Sequence, residues 1–274
     1  MSVSTPPPEA VYAADALAAA ERSRIPCPPV RKLFTGDDIA AAYAAQRIHT
    51  ERALAAGRRV VGRKIGLTSP AVQAQLGVAQ PDFGVLFADM AVPDDGEVPP
   101  GRLLQPKVEA EVALVLGDDL PHRDCTVADV LRSADFALPA LEIVDSRITD
   151  WDITITDTVA DNASSGLFVL GGPRRGLQDL DLRGVRMSMS RNGTEVSTGR
   201  GTDCLGGPLN AAVWLASTLA AMGDPLRAGD IVLTGALGPM APAAPGDAFH
   251  AAITGLGSVQ VRFAPAPAFE GAPA

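Results

Sequence analysis

The segment Pro106-Lys-Val-Glu-Ala-Glu-Val-Ala-Leu-Val-Leu116 constrains the fold more than any other stretch of the chain. It is apolar and β-branched over most of its length, the composition of a strand, yet it carries Glu109 and Glu111 two residues apart. Successive strand side chains point to opposite faces, so both carboxylates share one face, which Ala113 and Val115 continue. That face turns apolar within a residue or two, which places the carboxylates at the rim of a core. Two like charges there need compensation, and a hard divalent cation such as Mg2+ or Mn2+ supplies it, because it takes oxygen ligands and keeps positions for water and substrate. Glu142, in the apolar run ALPALEIVDS, is the candidate third carboxylate. Spacing alone leaves a second arrangement open, solvated glutamates along an antiparallel strand.

Around that strand the chain divides into three parts. Residues 1–58 read as an N-terminal helical lobe. Glu9 to Arg22 is alanine-rich and stops before Pro26 to Pro29, and a second helix begins near Thr35 to Asp38, a capping-box-like pair, and ends at Gly57. From Arg59 the character changes, and residues 59–265 read as a β-rich domain. RRVVGRKIGLTS is a strand leading into a loop, and strands are expected at Ala140 to Ile148, Gly166 to Leu170, Val185 to Ser190 with an Asn192-Gly193 turn, Asp230 to Leu233 and Val259 to Phe263. Helices are expected in PAVQAQLGV, from Thr126 to Phe136, and from Asn210 to Met222 before Gly223. Residues 266–274 form a Pro/Ala-rich, loosely ordered tail. Helices and strands do not alternate regularly, so the expected class is α+β with much β rather than a doubly wound nucleotide fold.

Composition narrows the function. With 47% hydrophobic and 20% charged residues among 274, the chain has ample material for a core. A net charge of −9 argues against nucleic acid or an anionic membrane as partner, since both demand clustered Lys and Arg. Cys27, Cys125 and Cys204 are odd in number and lack a CxxC pair, so reduced thiols are expected. MSVSTPPPEA has neither a basic start nor an apolar run, and no stretch is expected to approach the roughly 18 apolar residues of a membrane span. A cytoplasmic location is the expectation.

Further residues invite chemistry. Lys64, in GRKIGLTS, ends a strand beside a flexible loop and can reach an anionic ligand. Asp82, in QPDFGVLF, reads as part of a fixed turn, which explains it as well as catalysis does. Asp161, Asn162, Ser164 and Ser165 make a polar cluster that serves either a pocket or a helix cap or Asx turn. His49, His122 and His250 have no metal-ligand spacing. GALGPM, at Gly235 to Met240, follows a strand but lacks a following helix and a Lys-Ser or Lys-Thr pair, so it is not a phosphate loop.

Taken together, GRKIGLTSPAVQAQLGVAQPDFGVLF, PKVEAEVALVL, PALEIVDSR, DTVADNASSG and TGALGPM resemble, in order and spacing, the 2-oxopent-4-enoate (2-hydroxypenta-2,4-dienoate) hydratase family of the fumarylacetoacetate hydrolase-like superfamily. The resemblance runs from Ala16 to Phe263 and implies a mixed β-roll core with carboxylate-bound Mg2+ or Mn2+. It makes Glu109, Glu111 and Glu142 the metal ligands, places Lys64 and Asp82 at the substrate, and lines the pocket with Ser164, Leu237 and Gly238. The family's usual tyrosine before KIGLTS is here Arg63, which points away from Lys64 if this is a strand. The implied reaction is water addition to 2-hydroxypenta-2,4-dienoate, giving 4-hydroxy-2-oxopentanoate in aromatic meta-cleavage degradation. Lys64 then steers the anion and supplies a proton, and Asp82 orients or deprotonates the water. Three glutamates, one lysine and one divalent ion balance electrically, so raised carboxylate pKa values are expected without metal. Two rival readings remain: a 4-oxalocrotonate (2-oxo-3-hexenedioate) decarboxylase using the same metal, and a catalytically silent subunit of such a complex. The resemblance also implies a homo-oligomer and association with a related decarboxylase or hydratase.

Overall fold

The computed structural model describes residues 6–36, 38–69, 73 and 80–266. Its helices are α1 (Pro8–Ser23), α2 (Ile39–Ala55), α3 (Val127–Ser133), α4 (Ile155–Ala160) and α5 (Pro208–Met222). Its strands are β1 (Val60–Gly66), β2 (Asp82–Phe87), β3 (Ala91–Val92), β4 (Gly96–Val98), β5 (Pro106–Leu116), β6 (Ala134–Asp145) and β7 (Ser165–Leu170). They continue with β8 (Arg186–Arg191), β9 (Thr194–Arg200), β10 (Ile231–Ala236), β11 (Ala241–Pro242), β12 (Ala248–Ile253) and β13 (Gly257–Phe263). The architecture is mixed α+β, as expected.

The larger sheet runs β2-β1-β10-β5-β6-β7-β3, with β11 also pairing β5, and the smaller runs β4-β13-β12-β8-β9. The β5–β6 pair is the spine. Its antiparallel register joins Pro106 to Asp145 at one end and Leu116 to Ala134 at the other, which sets Glu109 directly opposite Glu142. β10 lies on the other side of β5 and aligns Ala236 with Glu111. Both strands of the spine are buried through most of their length, which is why their sequences read as near-continuous apolar runs.

The helical lobe is held by small residues. Ala10, Ala13 and Ala14 of α1 and Ala41, Ala42 and Ala45 of α2 form a second apolar cluster with Ile155 and Val159 of α4, so α4 links the lobe to the sheet. The α2 cap is Asp38 alone, whose side chain accepts the Ala41 N–H at 2.9 Å. α5 ends at Gly223, whose φ of +83° is a left-handed cap.

Several expectations need correction. Asp82, in QPDFGVLF, opens a fully buried strand, β2 (Asp82–Phe87), rather than sitting in a turn. The helix after Thr126 stops at Ser133 because β6 begins at Ala134, well before Ala140. α4, β9 and β12 were not anticipated. Gly201–Met222 does have the length and composition of a membrane span, but half of it is buried in the molecule as a core helix. PAVQAQLGV, apart from Gln73, and the tail beyond residue 266 lie outside the described residues.

Candidate metal and substrate site

Glu109, Glu111 and Glu142 each bring one carboxylate oxygen to within 4.8 Å of the others. The pleat of β5 turns Glu109 and Glu111 to one face, and the β5–β6 register brings Glu142 across to meet them. Like charges directly opposite in a sheet are destabilising, so this pairing calls for a cation. Glu111 Oε2 accepts the Gly235 N–H at 2.8 Å. Gly235 has φ +108°, and a Cβ there would lie 2.4 Å from the Thr68 side chain, so only glycine brings this N–H to the carboxylate. Glu111 Oε1 and both oxygens of Glu142 are buried without a hydrogen-bond partner. Buried oxygens left unpartnered beside one another are what an oxygen-seeking divalent ion satisfies, and the donor set is all carboxylate. The three residues therefore fit Mg2+ or Mn2+.

Lys64 lies on β1 with 3% of its surface exposed. Its Nζ is 3.1 Å from Glu142 Oε1, an ion pair by distance without hydrogen-bond alignment. Burial alone would lower the Lys64 ammonium, but Glu142, Asp82, Glu109 and Glu111 together hold it above its ordinary value. Burial pushes Glu109 up to about 7, reinforced by the Glu142 charge, while Glu111 is raised well above its usual range by burial and both neighbouring glutamates. Glu142 is raised by burial, with Lys64 opposing. The expected rise in all three carboxylates is present.

Asp82 opens β2 and is buried; burial raises its pKa, and Lys64 opposes. Its Oδ2 accepts the Thr158 hydroxyl at 3.2 Å, and Thr158 Oγ1 stands 3.4 Å from Ser164 Oγ. Asp82 Oδ1 has no partner. A Cβ at Gly66 would sit 2.2 Å from that oxygen and 3.3 Å from Lys64 Nζ, so this glycine makes room for the Lys64–Asp82 approach. Arg63, the next residue on β1, pairs with Asp224 on the far side, as alternation requires.

Lys64, Asp82, Glu109, Thr158 and Ser164 form the polar wall of a cavity of about 590 Å3, whereas Glu111 and Glu142 stand outside its lining. Ile65, Leu67, Val144 and Ile153 supply apolar wall, and Lys107 and Trp151 also line it. Of the GALGPM loop, Ala236, Gly238, Pro239 and Met240 reach the cavity. Leu237 does not line it: its side chain is buried in the main core and its N–H donates to Ala110 O at 2.9 Å. The polar cluster splits by role. Asn162 brackets Val85, accepting its N–H at 2.7 Å and donating to its carbonyl at 3.0 Å, and Asp161 pairs with Arg147 at 2.5 Å. Only Ser164 of the four lines the cavity. Thr158, Lys107 and Trp151 escaped the sequence reading, although Lys107 shares the Glu109 face by the same two-residue alternation. A separate cavity of about 430 Å3, between α1, α2 and β7, is lined by Arg24, Arg58, Arg102 and Arg147 with Glu21, Asp89 and Asp145, and among the described residues these carboxylates do not gather at ligating distance from one another.

Residues 59–264 match the family described as fumarylacetoacetate (FAA) hydrolase, C-terminal. The chain belongs to the fumarylacetoacetate hydrolase family. That match begins between the end of α2 and the start of β1. Within the fumarylacetoacetate hydrolase family, the chain is 59% identical over 254 residues to "TodF product hydratase" of Pseudomonas putida, covering 93% of this chain and 95% of the relative. It is 58% identical over 257 residues to "2-keto-4-pentenoate hydratase 2" of Dechloromonas aromatica, covering 94% and 97%. Among solved structures, 4-oxalocrotonate decarboxylase from Pseudomonas putida G7, complexed with magnesium and adipate, superposes with a TM-score of 0.90 at 37% identity, covering 93% and 97%.

Proposed function

We propose that the protein is a divalent-metal-dependent hydro-lyase that adds water to 2-hydroxypenta-2,4-dienoate (2-oxopent-4-enoate), giving 4-hydroxy-2-oxopentanoate within aromatic meta-cleavage catabolism. The observation that carries the metal is the meeting of Glu109, Glu111 and Glu142 with buried oxygens that no hydrogen donor satisfies. Supporting the choice of reaction, relatives named 2-keto-4-pentenoate hydratase are 53–60% identical, against 37% for the decarboxylase.

Glu109, Glu111 and Glu142 would hold Mg2+ or Mn2+. When bound, the ion supplies Lewis-acid stabilisation of charge developing on the 2-oxo acid portion of the substrate. The rest of the chemistry falls to the chain. Lys64, an ammonium kept charged by the surrounding carboxylates, attracts the anionic substrate, donates a proton to its carbon terminus and is reprotonated as the C2 hydroxyl loses its proton. Asp82, with one oxygen anchored by Thr158 and the other free, orients and deprotonates the water that adds to C4 and returns that proton to C3. Ser164 and Thr158 hold that end of the cavity, Gly238 lets the loop backbone pass beside Ser197 and Thr198, and the apolar wall keeps other water out.

Loss of dienol ultraviolet absorbance on mixing 2-hydroxypenta-2,4-dienoate with purified protein and Mn2+, with chromatographic identification of 4-hydroxy-2-oxopentanoate, tests the reading. Ketonisation without hydration would refute it, and CO2 release from 2-oxo-3-hexenedioate would establish the second reading, a 4-oxalocrotonate decarboxylase, which the 0.90 TM-score favours. The same proposal extends to a two-part organisation, a helical lobe over 1–58 whose apolar cluster is completed by Ile148, Ile155 and Val159, and a catalytic domain over 59–265. It extends also to a cytoplasmic location and to self-association or pairing with a related decarboxylase, for which exposed Tyr12, Ile25 and Leu54 on the lobe offer apolar surface.

A further inference from the structure

Lys107 lines the catalytic cavity two residues before Glu109 and on the same face of β5, roughly 7 Å along the strand. Lys64, the other lysine in the lining, is ion-paired with Glu142 at 3.1 Å and, beyond its general pull on the anion, is assigned the proton transfer. Lys107 has no carboxylate within ion-pair distance among the described residues; its Nζ sits 4.0 Å from the centroid of the Trp151 ring. The indole is itself held in place. Trp151 Nε1 donates to the Gln105 carbonyl at 3.0 Å, and Gln105 Oε1 accepts the Asp150 N–H at 3.0 Å. Gln105 Nε2 in turn donates to the carbonyls of Ser146 and Ile148 at 2.9 and 2.8 Å. These bonds fix Asp150 and Trp151 at φ +56°, a backbone region that side-chain-bearing residues rarely adopt. A strained turn pinned by one glutamine thus presents an aromatic face to a lysine that, among the described residues, has Glu109 along its face but no carboxylate within ion-pair distance.

Charge explains why such a lysine is needed. Three glutamates, Lys64 and a divalent ion balance, but Asp82 leaves one negative charge in a cavity that must admit an anion. Asp152, also in the lining, pairs with Arg31 at 2.8 Å, a cation it shares with Asp157 at 2.7 Å, and Asp203 adds a further exposed carboxylate to the lining, so the balance without another cation stays negative. Lys107 cancels the Asp82 excess and, parked on a ring rather than on a carboxylate, can transfer to an incoming carboxylate without breaking an ion pair.

We propose that Lys107, preorganised by Trp151 and Gln105, is the residue that captures the substrate carboxylate at the entrance to the catalytic cavity. This rests on the reading of the cavity as a 2-oxo acid site. The test compares wild type with Lys107→Met, Lys107→Arg and Trp151→Leu, all loaded with Mn2+. Binding of pyruvate, a 2-oxo monocarboxylate that cannot be hydrated, is followed by water-proton relaxation, and turnover of the dienoate is followed separately. Lys107→Met should weaken pyruvate binding about tenfold and raise KM similarly with kcat nearly unchanged, the pattern of a lost binding contact. Lys107→Arg should recover most of the affinity, Trp151→Leu should fall between, and the salt dependence of pyruvate binding should shrink in Lys107→Met. Unchanged pyruvate affinity in Lys107→Met overturns the inference, as does a loss seen only with a dicarboxylate, or a fall in kcat that Lys107→Arg does not rescue. A wild type that binds pyruvate but leaves the dienoate intact would instead refute the proposed reaction while the capture role is still decided by the pyruvate measurement.

Discussion

Each side chain at this site is costly without its ligand, and that cost is measurable. Glu109 titrates at about 7 in the metal-free protein, because burial and Glu142 disfavour its charge. Its unfolded value is about 4.5, so between pH 4.5 and 7 the native state binds more protons than the unfolded chain. Metal-free protein is therefore expected to lose stability as pH rises through that window, with Glu111 and Glu142 acting in the same direction. Melting temperatures of chelator-treated protein at pH 6 and pH 8 check the sign: the higher pH should melt lower, and Mn2+ should reverse the order, since protons and metal compete for the same oxygens. A melting temperature that rises with pH in the metal-free protein would contradict this account. Gly235 carries the second prediction at this scale. Gly235→Ala forces a Cβ to 2.4 Å from Thr68 at φ +108° and pushes the N–H away from Glu111. Destabilisation of about 2 kcal/mol or more is expected by denaturant titration, together with weakened Mn2+ binding.

At the scale of elements, the segment joining α4 to β7 decides whether Ser164 and Thr158 meet Asp82, and it is fastened by Arg147. That guanidinium donates to Asp161 Oδ1, to the Asp161 carbonyl and to the carbonyls of Asp145 and Ser165, bridging β6, the turn and β7. Arg147→Met leaves the Asp161 carboxylate buried without a cation, a change expected to cost about 3–5 kcal/mol. Urea unfolding of the metal-loaded protein measures it, and a loss under about 1 kcal/mol would mean that the pair is solvated. The elements that sequence revealed are those whose burial follows a simple period. β5 was legible from end to end because strand alternation separates Glu109 and Glu111 from Val108 and Ala110, and α1, α2 and α5 because alanine-rich runs end in glycine or proline. β2 was misread because Gly84 looks like a turn residue; it is there because a Cβ would meet the Asn162 carbonyl at 2.4 Å, a contact that no local pattern encodes. α4 is too short to show a helical period, and β9 is an edge strand rich in polar residues. The same limit applies to the site. The glutamate pair announced itself, whereas the separation of Leu237 from Gly238, and of Asp161 from Ser164, depends on which side of a tight turn faces the cavity.

For the molecule as a whole, the three glutamates proposed to hold the metal sit between β5, β6 and β10 at the centre of the larger sheet, so occupancy is expected to govern global stability rather than local order. Cys204 is a natural reporter of this. Its thiol is fully buried, donates to the Thr234 carbonyl at 2.9 Å, and is pushed up to about 12 by burial, so it is inert in the folded state. Thr234 lies on β10, whose next residue, Gly235, bonds Glu111. Exposing Cys204 therefore means parting β10 from its neighbours, which also dismantles the metal site. In a Cys27→Ser, Cys125→Ser variant, the remaining thiol should react with a disulfide reagent only through that opened state. A ligand that binds only the folded state stabilises it by about 2.7 kcal/mol at a free concentration one hundred times its Kd. Mn2+ at that concentration should accordingly slow labelling of Cys204 about one hundredfold when reclosing outpaces the reagent. Labelling indifferent to Mn2+ would show that β10 opens with the site intact, and the spine of the sheet, rather than the metal, would then set the stability of this end of the molecule.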